Sequence, residues 1–461
     1  MKYIVPLQKT ALLIFFMLLF GFAKSQTDTK PNIIWIMTED MSPELGCYGY
    51  PHVQTPHLDK LSKEGKLYTH MFATSPVCSP TRSAMITGMY QTTIGAHNHR
   101  SHRKDDYKLP DPVQPITEYL RQAGYYTVNG DLDKDGSLKK EGKTDYNFNL
   151  DREPFDGFDW NNRKPGQPFY AQVMIYITHR SPAWRGEVQE SKPQIDPNKL
   201  TLPPYYPNHP MARDDWATYL ESIQMMDTYV GRFLKKLEEA GLSENTIVIF
   251  TSDHGRCMVR DKQFLYDGGI HVPCIIRWPG VISPGSTDTD MHSTIDISAT
   301  ILKMAGATVP PHMEGRPFWG NDIKKKNKKR DYIVAARDRM DETVDMMRTV
   351  RNKQFKYIRN YYPERPYMQS NRYKARAYPV WNLLKELKKE GQLTPAQLLF
   401  TADTKPKEEL YDIVRDPHEI NNLAGNKAYI KQLKKMSKIL DRWIVETGDK
   451  GQIPEKPGTE E

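Results

Sequence analysis

The run Cys78-Ser79-Pro80-Thr81-Arg82-Ser83-Ala84-Met85-Ile86-Thr87-Gly88 gathers residue types that stabilise an anion at one point. Proline is tolerated in the first turn of a helix, where its missing N–H costs nothing, so the spacing predicts a helix opening at Pro80 with Cys78 just before it. A helix N-terminus presents free N–H groups and partial positive charge, and Arg82, one turn on from Cys78, faces the same way. An anionic group held at position 78 would be stabilised. A lone cysteine at such a place is more commonly a half-buried structural residue, so the chemistry requires partners.

Glu39-Asp40 and Asp253-His254 are those partners if the fold brings them to one edge. Converging carboxylates repel one another unless a cation neutralises them, and oxygen-rich sites suit calcium or magnesium. Taken alone, Glu39-Asp40 would be read as a helix cap or a turn. A further cluster, His97, His99 and Arg100 within Gly95–Arg103, is dense in imidazole and guanidinium groups that suit the carboxylates, sulfates and hydroxyls of an acidic sugar. Arg337 and Arg339 are candidates to line the same pocket from later in the chain, although surface loops and ion pairs explain such residues equally well.

The elements that must position these groups can be read from hydrophobic pattern. Asn32–Thr38, Ala171–Thr178 and Thr246–Ser252 are continuous apolar runs, as expected of strands buried on both faces, and each ends in polar, ionisable residues. Pro56, Pro115 and Met211 open helical segments. The last runs to Ala240, with Tyr219, Ile223, Met226, Val230, Phe233 and Leu237 at helical spacing, a stripe that packing on a sheet explains. Strands alternating with helices predict an α/β fold, a doubly wound, mainly parallel sheet flanked by helices, with its site at the carboxyl ends of the strands. Beyond the lysine-rich run Lys324–Arg330, strand-like Asp331–Ala336, Asp345–Arg351 and Phe355–Tyr361, with helices from about Thr394 and Lys427, predict a smaller C-terminal domain built on an antiparallel sheet and a helix.

Length and composition agree: 461 residues exceed one small core, and 38% hydrophobic with 26% charged residues is ordinary for a soluble protein. Residues 1–25 read as a signal peptide, with Lys2 and Lys9 ahead of or beside the apolar run Ala11–Phe22 and small residues before a cut at Gln26. The run is short for spanning a bilayer. The expectation is therefore export, to a periplasm or outside the cell, without stable membrane insertion. Cys47, Cys78, Cys257 and Cys274 are too few for a disulfide scaffold. A net charge of +8 favours acidic partners; with no accompanying motif, nucleic-acid binding is not expected, and a polyanionic sugar explains the same charge.

C-S-P-T-R followed by S-A-M-I-T-G resembles the signature of the type I, formylglycine-dependent sulfatases of the alkaline phosphatase superfamily, and the similarity is greatest to polysaccharide sulfatases of the heparan N-sulfatase-like branch. Phe250-Thr251-Ser252-Asp253, Glu409-Leu410-Tyr411-Asp412 and Asp416-Pro417-His418-Glu419 support it. The resemblance implies that a maturase converts Cys78 to formylglycine, whose hydrated aldehyde is the nucleophile. It implies one divalent ion, usually Ca2+, at Glu39, Asp40, residue 78, Asp253 and His254, with Glu39 in place of the more usual aspartate. It implies catalytic roles for Arg82, for Lys143 in Gly142-Lys143-Thr144-Asp145, for His179 as proton donor to the departing oxygen, and for Lys262 ahead of Tyr266-Asp267-Gly268-Gly269. Asp145 stands where that family commonly has histidine, and Asp131–Glu141 looks like an insertion. Residues 26–325 would form the catalytic domain and 331–461 the smaller one. The function implied is removal of sulfate from a sugar of a sulfated polysaccharide or its oligosaccharides, an algal polymer such as ulvan or carrageenan, or a glycosaminoglycan. The alternatives are a phosphodiesterase or phosphonate hydrolase of the same superfamily and an inactive sugar-binding homologue.

Overall fold

A computed structural model describes residues 30–181, 184–319 and 329–453. The signal peptide assigned to residues 1–25, and the boundary placed at Lys324, lie outside the described residues. From Pro31 onward the chain forms one compact unit.

Its larger sheet is built from β1 (Asn32–Thr38), β2 (Lys66–Phe72), β3 (Tyr126–Leu132), β4 (Leu138–Glu141), β5 (Phe169–Ile175), β6 (Thr246–Ser252), β7 (His271–Arg277), β8 (Ser286–Asp288) and β9 (His292–Ser293). The order is β4-β3-β5-β1-β6-β7-β2-β8, with β9 on β2. β3, β5, β1 and β6 are parallel neighbours, whereas β4 and β7 run against their neighbours. The expected mainly parallel sheet is thus present, with one antiparallel strand on either side of its parallel centre.

The central strands are apolar throughout because both faces are covered. Ile33, Trp35 and Met37 enter one core layer with Ile247 and Ile249, while Ile34 and Ile36 enter the opposite layer with Val248 and Phe250. The layers are completed by α1 (Pro56–Glu64), α2 (Cys78–Thr87), α3 (Ile116–Gln122), α4 (Pro210–Glu239) and α5 (Thr294–Met304), among others. The stripe from Tyr219 to Leu237 on α4 is buried, as its period requires.

The segment Asp131–Glu141, read as an insertion, takes the form of a hairpin. Its second arm, β4, pairs antiparallel with β3 and closes the sheet edge immediately before Lys143. The sequence fails to announce it because a short, lysine-rich edge strand carries no apolar alternation.

A second sheet, β10 (Ile333–Arg337), β11 (Met347–Arg351), β12 (Phe355–Asn360) and β13 (Glu408–Asp412), is antiparallel in chain order. The fourth strand was not expected from pattern. Between β12 and β13 the chain forms helices including α6 (Arg372–Ala377), and α7 (Ile430–Thr447) brings Met436, Leu440 and Trp443 onto Val350 and Tyr357. The same apolar cluster includes Ala84 of α2, Tyr90 and Ile295, so the helix that starts at Cys78 is packed on the second sheet as well as the first.

A buried carboxylate also fastens the two sheets. Glu409 on β13 accepts hydrogen bonds from Tyr266 (3.0 Å), Tyr367 (2.7 Å), Tyr411 (2.7 Å) and Asn360 (2.7 Å). Glu409→Ala strands four buried donors at about 1–3 kcal/mol each, reduced by whatever water enters. It is expected to lower the thermal unfolding midpoint by more than 5 °C, measured by calorimetry.

Candidate active site

The carboxyl ends of β1, β5 and β6 lie level, because Thr38 pairs with Ile175 on one side and Ser252 on the other. The residues that follow, Glu39-Asp40 and Asp253-His254, therefore emerge side by side. Asp40 and His254 donate backbone N–H groups to the same oxygen, Asp253 Oδ1, at 3.1 and 2.8 Å. Asp40 takes a left-handed φ of 54°, a conformation that aspartate tolerates better than most residues. His179 follows β5 after a short loop.

Cys78 arrives from the β2 side as the first residue of α2, with Pro80 two residues inside rather than opening the helix as expected. Its Sγ lies 3.4 Å from His254 Nε2 and 4.0 Å from Asp40 Oδ1. Arg82, one turn along, extends a fully buried guanidinium whose Nη2 is 3.0 Å from both Glu39 Oε1 and Asp253 Oδ2. Lys143 Nζ is 3.1 Å from Glu39 Oε1, and Lys262 Nζ is 2.7 Å from Asp40 Oδ2. His179 Nε2 is 3.7 Å from Glu39 Oε2, an oxygen that has no hydrogen-bond partner.

Each charge is held by its neighbours against the cost of burial. Burial raises the Asp40 pKa, yet Lys262, His254 and His179 hold it well below the usual carboxylate range. Burial would likewise push the Cys78 thiol up, but Lys143 and Lys262 bring it down to about 6. Position 78 therefore favours an anion, as its place at a helix N-terminus requires. Burial lowers the His179 pKa, with help from Lys262, but Glu39 and Asp40 more than restore it, so the ring keeps its proton more readily than free histidine.

Asp40, Cys78, Asp253 and His254 each offer a donor atom, all within 4.8 Å of one another. His254 Nδ1 donates to Gly255 O at 2.9 Å, which turns Nε2 toward the carboxylates. Burial opposes charge on this ring, but Asp253 and Asp40 raise its pKa to about 10. Two carboxylates, an imidazole nitrogen and residue 78 fit a divalent cation. Glu39 belongs to an adjoining group with Asp40, Cys78 and His179. Its Oε1 is already engaged by Arg82 and Lys143, so only Oε2 is open to the ion expected there.

Above the cluster is a cavity of about 790 Å³ lined by Cys78, Lys143, His179 and Lys262 at one part and by His99, Arg100 and Arg339 at another. Two expected members are elsewhere. His97 is buried and outside the lining, because Asn147 Nδ2 grips Ala96 O and Asn98 O on either side of it and turns it inward. Arg337 closes β10 with its guanidinium 4.6 Å over the Phe264 ring and 3.6 Å from Asp345. The strand ends there, and the following loop redirects Arg339 into the cavity. Asp145 pairs with Lys143 (3.4 Å) and Arg103 and stays a carboxylate.

Sequence reading missed Gln263, Asp341 and the pair Arg372 and Arg376, all in the lining. Only the arginines left a signal, their i, i+4 spacing.

A family model described as Sulfatase matches residues 31–307, and another described as N-sulphoglucosamine sulphohydrolase, C-terminal, matches residues 255–374. The chain belongs to the sulfatase family. As a sulfatase it is 36% identical over 475 residues to an ulvan-active sulfatase of Formosa agariphila, covering 92% of this chain and 76% of that one. It is 24% identical to human N-sulphoglucosamine sulphohydrolase, covering 91% and 90% of the two chains. A solved structure bound to its substrate D-glucosamine-2-N,6-O-disulfate shares the fold with a TM-score of 0.63 at 19% identity, over 92% of this chain and all of that one. So does a phosphonate monoester hydrolase of Agrobacterium radiobacter, with a TM-score of 0.65 at 17% identity, over 90% and 96%.

In this sulfatase the loop carrying Lys262 is fastened from below by a second lysine. Lys374 on α6 is fully buried, and its Nζ donates to Val259 O and Lys262 O, each at 2.8 Å. Burial, reinforced by Arg337, holds its pKa well below the usual lysine value, and the two carbonyls accept from its N–H groups. Lys374→Met fills the same space but orphans both acceptors, at about 1–3 kcal/mol each. Reduced thermal stability and a fall in kcat are expected, read by calorimetry and steady-state kinetics. Gly255→Ala tests the neighbouring turn: its Cβ would meet Gly268 O at 2.2 Å and Gly269 C at 2.6 Å, both backbone atoms. Displacing His254 in this way is expected to lower metal affinity, measured by calorimetric titration.

Proposed function

We propose that this sulfatase is an exported, periplasmic or secreted enzyme that removes sulfate from a sugar unit of a sulfated polysaccharide or its oligosaccharides, with ulvan the first candidate and carrageenan and glycosaminoglycans the others. The single observation that carries the reading is the position of Cys78, at the floor of the cavity between a metal-type donor set and the cations of Lys143, His179 and Lys262. Similarity to an ulvan-active sulfatase over 92% of the chain supports the choice of polymer.

Conversion of Cys78 by a maturase would supply a formylglycine hydrate as nucleophile, and a divalent ion at Asp40, Asp253 and His254, Ca2+ in this reading, would supply charge stabilisation beside it. The chain's own groups do the rest. Arg82, gripped by Glu39 and Asp253, places fixed positive charge one turn from residue 78. Lys143 and Lys262 present ammonium groups to sulfate oxygens, where preorganised donors act most strongly on developing charge. His179 Nε2 holds a proton for the departing sugar oxygen, and the Glu39 and Asp40 carboxylates favour the charged form of that ring.

Phosphonate or phosphodiester hydrolysis is the second reading, resting on fold similarity alone. Purified protein from a host with the maturase is expected to release sulfate from ulvan oligosaccharides, to show little phosphonate hydrolysis, and to yield a Cys78 peptide lighter by the change from thiol to aldehyde. Cys78→Ala is expected to cut kcat by a factor on the order of 10⁴–10⁶, and chelation followed by calcium readdition is expected to remove and restore activity. Active protein with an unmodified thiol would overturn the formylglycine reading, and preferential phosphonate turnover the choice of substrate.

A further inference from the structure

A second cavity of about 660 Å³ adjoins the first, and the two share Arg180, Ser181 and Arg376 as wall. None of Cys78, Lys143, His179 or Lys262 borders it. Its remaining polar lining includes Arg185, Asp214, Asp215 and Asn382, a set able to meet sugar hydroxyls from both donors and acceptors. The groove is therefore longer than the part that surrounds residue 78.

The shared wall has two layers of positive charge. Arg180 is buried beneath it, bound to Asp215 Oδ1 at 2.8 Å and stacked against Tyr378 at 4.4 Å. Its Nε and Asp215 Oδ2 are buried without a hydrogen-bond partner, although buried polar atoms are ordinarily satisfied by protein, water or ligand. Above it, Arg376 is exposed. Among the described residues, its side chain makes no hydrogen bond or ion pair. The other cations of the first cavity differ: Lys143 faces Glu39, Lys262 faces Asp40, and Arg339 donates to Asp341 O. Arg372, one turn before Arg376 on α6, lies 3.6 Å from Glu342 with its side chain 89% exposed, so that contact is loose and screened by solvent.

We infer that Arg376, assisted by Arg372, forms a second anion subsite that binds the carboxylate or sulfate of the sugar unit next to the one being desulfated. The inference rests on the sulfatase reading and adds a substrate class to it: an oligosaccharide whose neighbouring unit is charged. Guanidinium matches both anions, since its fork donates to two oxygens at once. A sulfate ester bound above residue 78 leaves the remaining chain to follow the groove toward the shared wall, where the unpaired guanidinium waits.

The test uses full-length matured enzyme and three disaccharides with the same reactive sulfated unit: one with a uronate neighbour, one with that carboxyl reduced to an alcohol, and one with a sulfated neutral neighbour. Wild type is expected to show KM about 10- to 100-fold lower for whichever charged neighbour fits than for the reduced disaccharide, the range for a charge-assisted hydrogen-bonded pair. Arg376→Ala is expected to collapse that ratio toward one, and Arg372→Ala, an independent change on the same exposed face, to shrink it in part. The charged disaccharide that loses its advantage names the anion. A wild-type ratio near one, or a ratio that survives both substitutions, overturns the subsite while leaving the sulfatase reading in place. Failure of wild type to release sulfate from any of the three overturns that reading and the subsite with it.

Discussion

Everything in this structure depends on holding a dense set of opposite charges out of water at the carboxyl edge of one sheet. Glu39, Asp40 and Asp253 would not share such a space unaided, and neither would Arg82, Lys143 and Lys262. Arg82 makes the arrangement possible by touching Glu39 and Asp253 at once, from a helix whose first residue is Cys78. The charge network and the placement of residue 78 are therefore one structural problem with one solution. Removing Arg82 would take the shared guanidinium from both Glu39 and Asp253.

The cluster is enclosed by backbone that bends where most residues do not. Asp40, Arg100, Asp145, Gln263 and Asp341 all have φ between 50° and 75° and all lie in or beside the site. Such conformations persist only where surroundings impose them. Here the imposition is visible: Gln263 is held by Asp341 at 3.0 Å and by Asn371 at 3.0 Å, while Asp341 in turn binds His99 at 3.0 Å. This chain of contacts joins the loop after α2, the loop carrying Lys262 and the N-cap of α6. It makes the wall of the cavity a rigid assembly of segments distant in sequence.

The second sheet belongs to the site as much as the first. Its packing against α2 through Ala84, the tyrosine-bound Glu409 and the buried side chain of Lys374 fix the height of the helix that starts at Cys78 and of the Lys262 loop. Cys78, Lys143, His179 and Lys262 stand on segments that follow strands of the large sheet. The distal wall, through Arg339, Arg372 and Arg376, comes from the smaller one and its helices.

The sequence by itself determined the central strands, the long helix and the residues at their ends. A strand buried on both faces must be apolar at every position, and a 30-residue amphipathic helix repeats its period too often to be mistaken. Glu39-Asp40 and Asp253-His254 stood out by their places at strand ends and Cys78 and Arg82 by a proline-marked helix start, whereas His179 and Lys262 were singled out by resemblance to the family. The hairpin at β4, the strand β13 and the reversed β7 were not legible, since short or edge strands gain their pairing from neighbours rather than from their own pattern. Only the tertiary structure decided that Glu39 faces cations, that His97 and Arg337 turn into the interior, and that Arg376 and Lys374 of one short helix serve the groove and the Lys262 loop. Those outcomes depend on the direction of a side chain relative to segments elsewhere in the chain, and spacing along a chain carries no information about direction across it.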